Sequence, residues 1–175
     1  MRIILDTDPG NGVPGADIDD ALALALALRS PEIELEAITV VAGNVPVDRG
    51  VQSALETLEA ADVTDVPVHR GAERPLVEDP AAWRAELDGR RAERTAQRLW
   101  QNLPFQPTRL TSHPTPAAQA LVQRVNERPG EITVVAIGPL TNIATAMALD
   151  PGWAGKLARL VVMGGPSTCP MCCTS

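Results

Sequence analysis

Short, uniformly apolar runs alternate along this chain with longer segments whose apolar residues recur every three or four positions. Arg2 to Leu5 contains β-branched Ile3 and Ile4 and reads as a buried strand, closed by Pro9-Gly10. Ile18 to Arg29 is built from Ala and Leu, strong helix formers, and Ser30-Pro31 stops it. Ile33 to Ala42 is a second strand, broken by Gly43-Asn44. Val51, Ala54, Leu55 and Leu58 place one apolar stripe on a helix from Val47 to Ala61. Val66-Pro67-Val68 is a short third strand, and Ala72 to Pro80 a loop. Ala81 to Trp100 is charged and reads as a helix, whereas the prolines at 104, 107, 114 and 116 make Leu103 to Pro116 loop or extended. A helix from Ala117 to Arg128, a strand from Ile132 to Ile137, a helix from Leu140 to Leu149 and a turn from Trp153 follow. The last strand, Leu160 to Met163, ends at Gly164-Gly165.

Strands that are apolar throughout, each followed by a helix, imply a mostly parallel sheet covered on both faces. With right-handed crossovers this is a Rossmann-like, doubly wound α/β sandwich. Ligands in such sheets bind beyond the carboxyl ends of the strands. Here those ends are Asp6-Thr7-Asp8, Gly43-Asn44, Ile137-Gly138-Pro139 and Met163-Gly164-Gly165.

Composition narrows the partners. The chain has 175 residues, 45% of them hydrophobic, enough for one compact domain with a proper core. Fifteen basic against 22 acidic residues leave a net charge of −7, which disfavours nucleic acid and anionic membranes and tolerates a cation or a neutral polar molecule. No stretch reads as a signal peptide, and none approaches the roughly 18 apolar residues of a membrane helix. A cytoplasmic location is expected. Cys169, Cys172 and Cys173 crowd the last residues and form no disulfide framework.

The chemistry concentrates near the start. Asp6, Asp8, Asp17, Asp19 and Asp20 fall close together, the first two at a strand end and the last two opening a helix. Such a group repels itself unless a cation sits among its members, and oxygen-only ligands favour Ca²⁺ or Mg²⁺ over zinc. The blander alternative is that Asp19 and Asp20 merely complement a helix N-terminus.

Asp6-Thr7-Asp8-Pro9-Gly10 followed by Asp19-Asp20-Ala21-Leu22-Ala23-Leu24 resembles the signature of the inosine-uridine-preferring nucleoside hydrolases. Ile38 to Asn44, Pro67 to Ala72, Gly138 to Ala144 and Val161 to Gly165 extend the resemblance in order. It implies calcium-dependent hydrolysis of the N-glycosidic bond of ribonucleosides, releasing base and ribose. Carried over by position, it makes Asp8 a metal ligand and the general base, and Asp20 a second metal carboxylate. Ile137 would give a backbone carbonyl to the metal. Asp19 and Asn44 would contact ribose hydroxyls, and Asp6 would brace the loop. It further implies a ribonucleoside substrate and assembly as a dimer or tetramer.

The chain departs from that family in three places. Asn11 to Ile18 is a turn-rich insertion before the Asp pair, a kind of loop that is tolerated cheaply and that offers Asp17 as a further ligand. The family's His-Gly and Asp-Gly loop is replaced by Trp83 to Pro116. The family's Glu-Phe-Asn segment, leaving-group histidine and last metal-binding aspartate have no counterpart, so residues 1–175 are expected to be one nucleoside-hydrolase-like domain incomplete at its C-terminus, a fragment or an inactive truncation.

Other features read more plainly. The three cysteines fall short of the four ligands of a structural zinc site and are read as exposed loop. His69 and His113 are read as surface or packing residues. Arg84, Arg90, Arg91, Arg94 and Arg98 interleave with Glu86, Asp88 and Glu93, as on a solvated helix. Two competing functions stand beside the hydrolase. One is a non-catalytic domain that binds a divalent cation or assembles with a partner. The other is a phosphatase of the haloacid dehalogenase type, which shares a strand-end Asp-Thr-Asp but wants a lysine downstream; Lys156 is the only lysine here.

Overall fold

A computed structural model describes residues 1–91, 93–95, 98 and 108–164. Five strands form one sheet: β1 (Arg2–Thr7), β2 (Glu34–Val40), β3 (Val68–Arg70), β4 (Ile132–Ala136) and β5 (Arg159–Val162). Their order is β3-β2-β1-β4-β5, and every pairing is parallel. The helices are α1 (Asp19–Arg29), α2 (Val47–Ala60), α3 (Ala81–Arg91), α4 (Ala117–Glu127) and α5 (Thr141–Leu149), with a 3₁₀ turn at Trp153–Lys156.

Because successive strand side chains point to opposite faces, the apolar strands build two cores. Ile4, Ala37 and Val134 face Leu121 and Val125 of α4, Ile143 and Ala146 of α5, and Trp153. Leu5, Ile38 and Val68 face Leu24 of α1 and Val51, Ala54, Leu55 and Leu58 of α2. The Trp153 indole N–H, which would be costly to bury unpaired, donates to the Leu121 carbonyl at 3.1 Å.

This is the doubly wound α/β fold the pattern implies, with one adjustment. The third strand lies two residues later than its apolar run, at Val68–Arg70. Pro67 has no N–H for a ladder, but its carbonyl accepts from Ile38 N at 2.9 Å and starts the pairing. The charged helix is described as α3 over Ala81–Arg91; much of the remaining span to Trp100 lies outside the described residues.

The strand order places the site. The chain leaves β1 toward the α1/α2 face and leaves β4, its neighbour, toward the α4/α5 face. The loops after these two strands diverge, opening a crevice at the topological switch point.

Packing also separates stability from surface composition. Leu121→Ala, at a fully buried position, is expected to cost about 2–5 kcal/mol, whereas Leu22→Ala, at a position 63% exposed, should stay within about 0.5 kcal/mol. Urea denaturation of both variants measures this, and equal losses would contradict the core assignment.

Candidate functional site

The crevice at the end of β1 contains a cavity of about 350 Å³ lined by Asp8, Asp17, Asp19, Asp20, Asn44, the Ile137–Pro139 segment and Met163. The structure thus brings together Asp8, Asp19, Asp20, Asn44 and Ile137, which come from the ends of three different strands and the start of α1. Asp6 sits one layer below.

Each carboxylate is held by a different part of the backbone. Asp6 is fully buried. Its Oδ1 accepts from Thr39 Oγ1 at 2.5 Å and from Asn142 Nδ2 at 2.8 Å, while its Oδ2 has no hydrogen-bond partner. Asn142, at the start of α5, also accepts from Ala72 N at 2.9 Å, so one carboxamide ties β1 to the loop after β3. Asp8 Oδ2 accepts from the Asn44 backbone N–H at 2.7 Å. Asp20 Oδ1 accepts from Thr7 Oγ1 and from Asp8 N, the latter at 3.2 Å, and its Oδ2 accepts from Asn44 Nδ2 at 3.2 Å. Asp19 and Asp17 line the cavity from exposed positions.

Two glycines are obligatory here for space. A Cβ on Gly43 would lie 1.9 Å from Asp8 Oδ2, and one on Gly138 would lie 2.8 Å from Asp8 Oδ1. Any side chain at Gly43 would evict the carboxylate from the pocket.

The insertion docks on α2. Asn11 Nδ2 donates to Thr57 Oγ1 at 3.1 Å, and the Asn11 carbonyl accepts from Ser53 Oγ at 2.8 Å. Turns closed by Val13 N to Gly10 O and by Ala16 N to Val13 O return the chain to α1 and leave Asp17 on the cavity wall.

Burial dominates the electrostatics. Loss of solvent raises Asp6 to about 7 against the hydrogen bonds of Thr39 and Asn142. Asp8 also rises to about 7, first through burial and then through repulsion by Asp20, against the Asn44 N–H. Asp20 rises as well, again through burial, opposed by Thr7 and the Asp8 N–H. A divalent cation would relieve this cost, and the donors are hard oxygens throughout. The donor chemistry therefore fits such an ion. Among the described residues no three Asp, Glu, His or Cys side chains are gathered to hold a metal.

Sequence reasoning missed three contributors. Thr7 and Asn142 lie inside the quoted motifs, but only their contacts reveal what they hold. Arg84 corrects the solvated-stripe expectation: while Arg90 pairs with Glu86 in solvent, Arg84 turns inward, donating to the Gly43 carbonyl at 2.5 Å and the Asn44 carbonyl at 2.9 Å. Burial lowers its pKa, opposed by the Asp8 charge. A larger hollow of about 450 Å³ lies against the same helix, with Trp83 and Arg84 in its wall, but it faces neither Asp8 nor Asp20. His69 is buried, packs 4.7 Å from His113 and approaches the Thr115 carbonyl through Nδ1 at 2.8 Å; neither histidine lines the Asp8 cavity. Lys156 pairs with Asp150 at 2.8 Å and also stays outside that cavity, which removes the lysine a phosphatase would need. Cys169, Cys172 and Cys173 lie outside the described residues.

A doubly wound sheet with an oxygen-rich acidic crevice at its switch point places the chain among the α/β proteins. Residues 3–171 match the family model of the inosine-uridine preferring nucleoside hydrolases, and the chain belongs to that family, which is metal-dependent in general. It is 36% identical over 168 residues to a protein named probable uridine nucleosidase 2 from Arabidopsis thaliana, covering 94% of this chain and 47% of that one. It is 40% identical over 165 residues to the non-specific ribonucleoside hydrolase RihC of Klebsiella pneumoniae, covering 94% and 49%. Among solved structures, the plant nucleoside hydrolase PpNRh1 superposes with a TM-score of 0.73 at 35% identity, covering 94% of this chain and 48% of that one. An inosine-guanosine nucleoside hydrolase superposes at 0.71 with 30% identity, covering 95% and 49%. The chain spans about half the length of the curated relatives it matches. No helix among the described residues is long and apolar enough to cross a membrane.

The raised carboxyls set a pH dependence. Unfolded, these groups titrate near 3.8; folded, Asp6 and Asp8 titrate near 7. Across that window the folded chain binds more protons, so its stability is fully present below the ordinary carboxyl range and is lost as pH rises through about 7. The thermal midpoint of the cation-free chain should fall between about pH 5 and pH 8, and Asp8→Asn should flatten the fall. A midpoint that rises across this range would refute the assignment.

Proposed function

We propose that this chain forms the water-activating and ribose-binding part of a calcium-dependent nucleoside hydrolase, which cleaves ribonucleosides to free base and ribose. The convergence of Asp8, Asp19, Asp20, Asn44 and Ile137 on one crevice supports this reading. Asp8, Asp20 and the Ile137 carbonyl would hold Ca²⁺, whose hard-oxygen preference matches them. When bound, that ion supplies a Lewis acid for water and for ribose hydroxyls.

The remaining chemistry belongs to the side chains. Asp8, held against the Asn44 N–H at the cavity wall, is the carboxylate that accepts the proton of the attacking water. Asp19 and Asn44 take ribose hydroxyls and fix the sugar against that water. As the base departs, the ribose becomes oxocarbenium-like, and the surrounding carboxylates stabilise the positive charge. Asp6 is the brace beneath Asp8, through Thr39 and Asn142. The leaving base needs a proton, and neither histidine of the chain lines the cavity, so residues 1–175 favour binding over turnover.

Calorimetry should show Ca²⁺ binding more tightly than Zn²⁺, with Asp8→Ala abolishing the calcium heat. Tighter zinc binding that survives Asp8→Ala would transfer the metal to the cysteines.

In an assay of reducing ribose, residues 1–175 should release base from inosine or uridine slowly. A version joined to a family-like C-terminal half should be faster by about 10²–10⁴, the usual contribution of a general acid. Asp8→Asn in that version should abolish turnover, because an amide cannot accept the proton. Brisk turnover by residues 1–175 alone would show that Asp17 or another group present supplies what the histidines do not.

A further inference from the structure

One peptide unit links the inward-facing arginine to the proposed base. The Gly43 carbonyl accepts from Arg84 Nη1 at 2.5 Å, and the N–H of the same peptide, on Asn44, donates to Asp8 Oδ2 at 2.7 Å. The guanidinium's second arm holds the next carbonyl, that of Asn44, at 2.9 Å. Its Nε faces Asp88 at 3.2 Å. The Arg84 side chain is only 19% exposed, and its contacts leave it few alternative geometries.

Hydrogen bonds in series polarise one another, so a cation on the oxygen of a peptide strengthens the donor at its nitrogen. The planar fork of arginine suits two consecutive carbonyls in a way a lysine point charge does not. The carboxylate packs directly on this peptide: Asp8 Oδ2 lies 1.9 Å from where a Gly43 Cβ would be, a space only glycine leaves open. The same loop carries the Asn44 carboxamide to Asp20 at 3.2 Å.

We infer that Arg84 is a positioning residue for the ribose and cation site, acting through the Gly43–Asn44 peptide to aim the Asp8 carboxylate and the Asn44 side chain. The inference rests on the nucleoside hydrolase reading for its functional consequence and on geometry alone for the relay. It gives α3, at the start of the region where this chain departs from the family pattern, a part in the site. Arg84 touches neither substrate nor reacting atoms in this scheme.

The test uses Arg84→Met, which keeps the aliphatic stem and removes the donors, and Arg84→Lys, which keeps a charge but not the fork. Hydrogen exchange is followed at the Asn44 amide, with the Leu5 amide in buried β1 as reference, alongside inosine binding in saturating Ca²⁺. Loss of a charge-assisted bond should speed Asn44 exchange in Arg84→Met by about tenfold or more, with Leu5 unchanged and Arg84→Lys intermediate. Inosine affinity should weaken by about tenfold in Arg84→Met and recover in part in Arg84→Lys. Asn44 exchange that does not change, or that rises in step with Leu5, overturns the relay and leaves Arg84 as a strap for α3. A change in Asn44 exchange without any loss of inosine affinity overturns its role in the site. Wild-type chain that binds neither Ca²⁺ nor inosine sinks the nucleoside reading instead, and the exchange comparison still decides the relay.

Discussion

Burying carboxylates at the end of a central strand is the constraint on which the rest of this structure depends. Asp6 and Asp8 flank Thr7 on β1, the middle strand of the sheet, and both are almost removed from water. A carboxylate there is expensive unless donors surround it. The donors come from elements around the strand end: Thr39 on β2 and Asn142 at the start of α5 serve Asp6, the Asn44 peptide after β2 serves Asp8, and Thr7 serves the neighbouring Asp20. The fold brings those elements to one edge because parallel strands direct their carboxyl ends the same way, and because the order β3-β2-β1-β4-β5 opens a crevice beside β1.

The same constraint explains the glycines and the behaviour of the insertion. Gly43 and Gly138 close on Asp8 from two sides, where a methyl group would displace it. Asn11 to Ile18 lengthens the path from β1 to α1, and Asn11 anchors the detour on Ser53 and Thr57 of α2. The repulsion that remains among Asp8, Asp19 and Asp20 makes the crevice receptive to a divalent cation.

Much of this was legible beforehand. Apolar runs of strand length, broken by Pro9-Gly10, Gly43-Asn44 and Gly138-Pro139, carry the strands and their parallel direction. The Asp motif and the Asn44 and Ile137 positions mark the crevice, because residues after parallel strands must meet at one edge. Less legible was the region after β3. Arg84 sits among Glu86, Asp88 and Arg90 in a charged helix, and nothing in that local pattern distinguishes the arginine that turns inward from those that face water. Helical periodicity is set by which face is apolar, and a guanidinium satisfied by backbone carbonyls leaves no apolar mark.

The sequence by itself determined the layered α/β architecture and the presence of an acidic, oxygen-only site, since hydrophobic period and the chemistry of Asp are local properties. Only the tertiary structure decided how that site is held. Thr7 reaching Asp20, Asn142 spanning from Asp6 to the loop after β3, and Arg84 gripping the peptide that feeds Asp8 all join residues distant along the chain. Such pairings follow from strand order and the packing of helices on two faces, which bring together groups whose local sequence carries no record of one another.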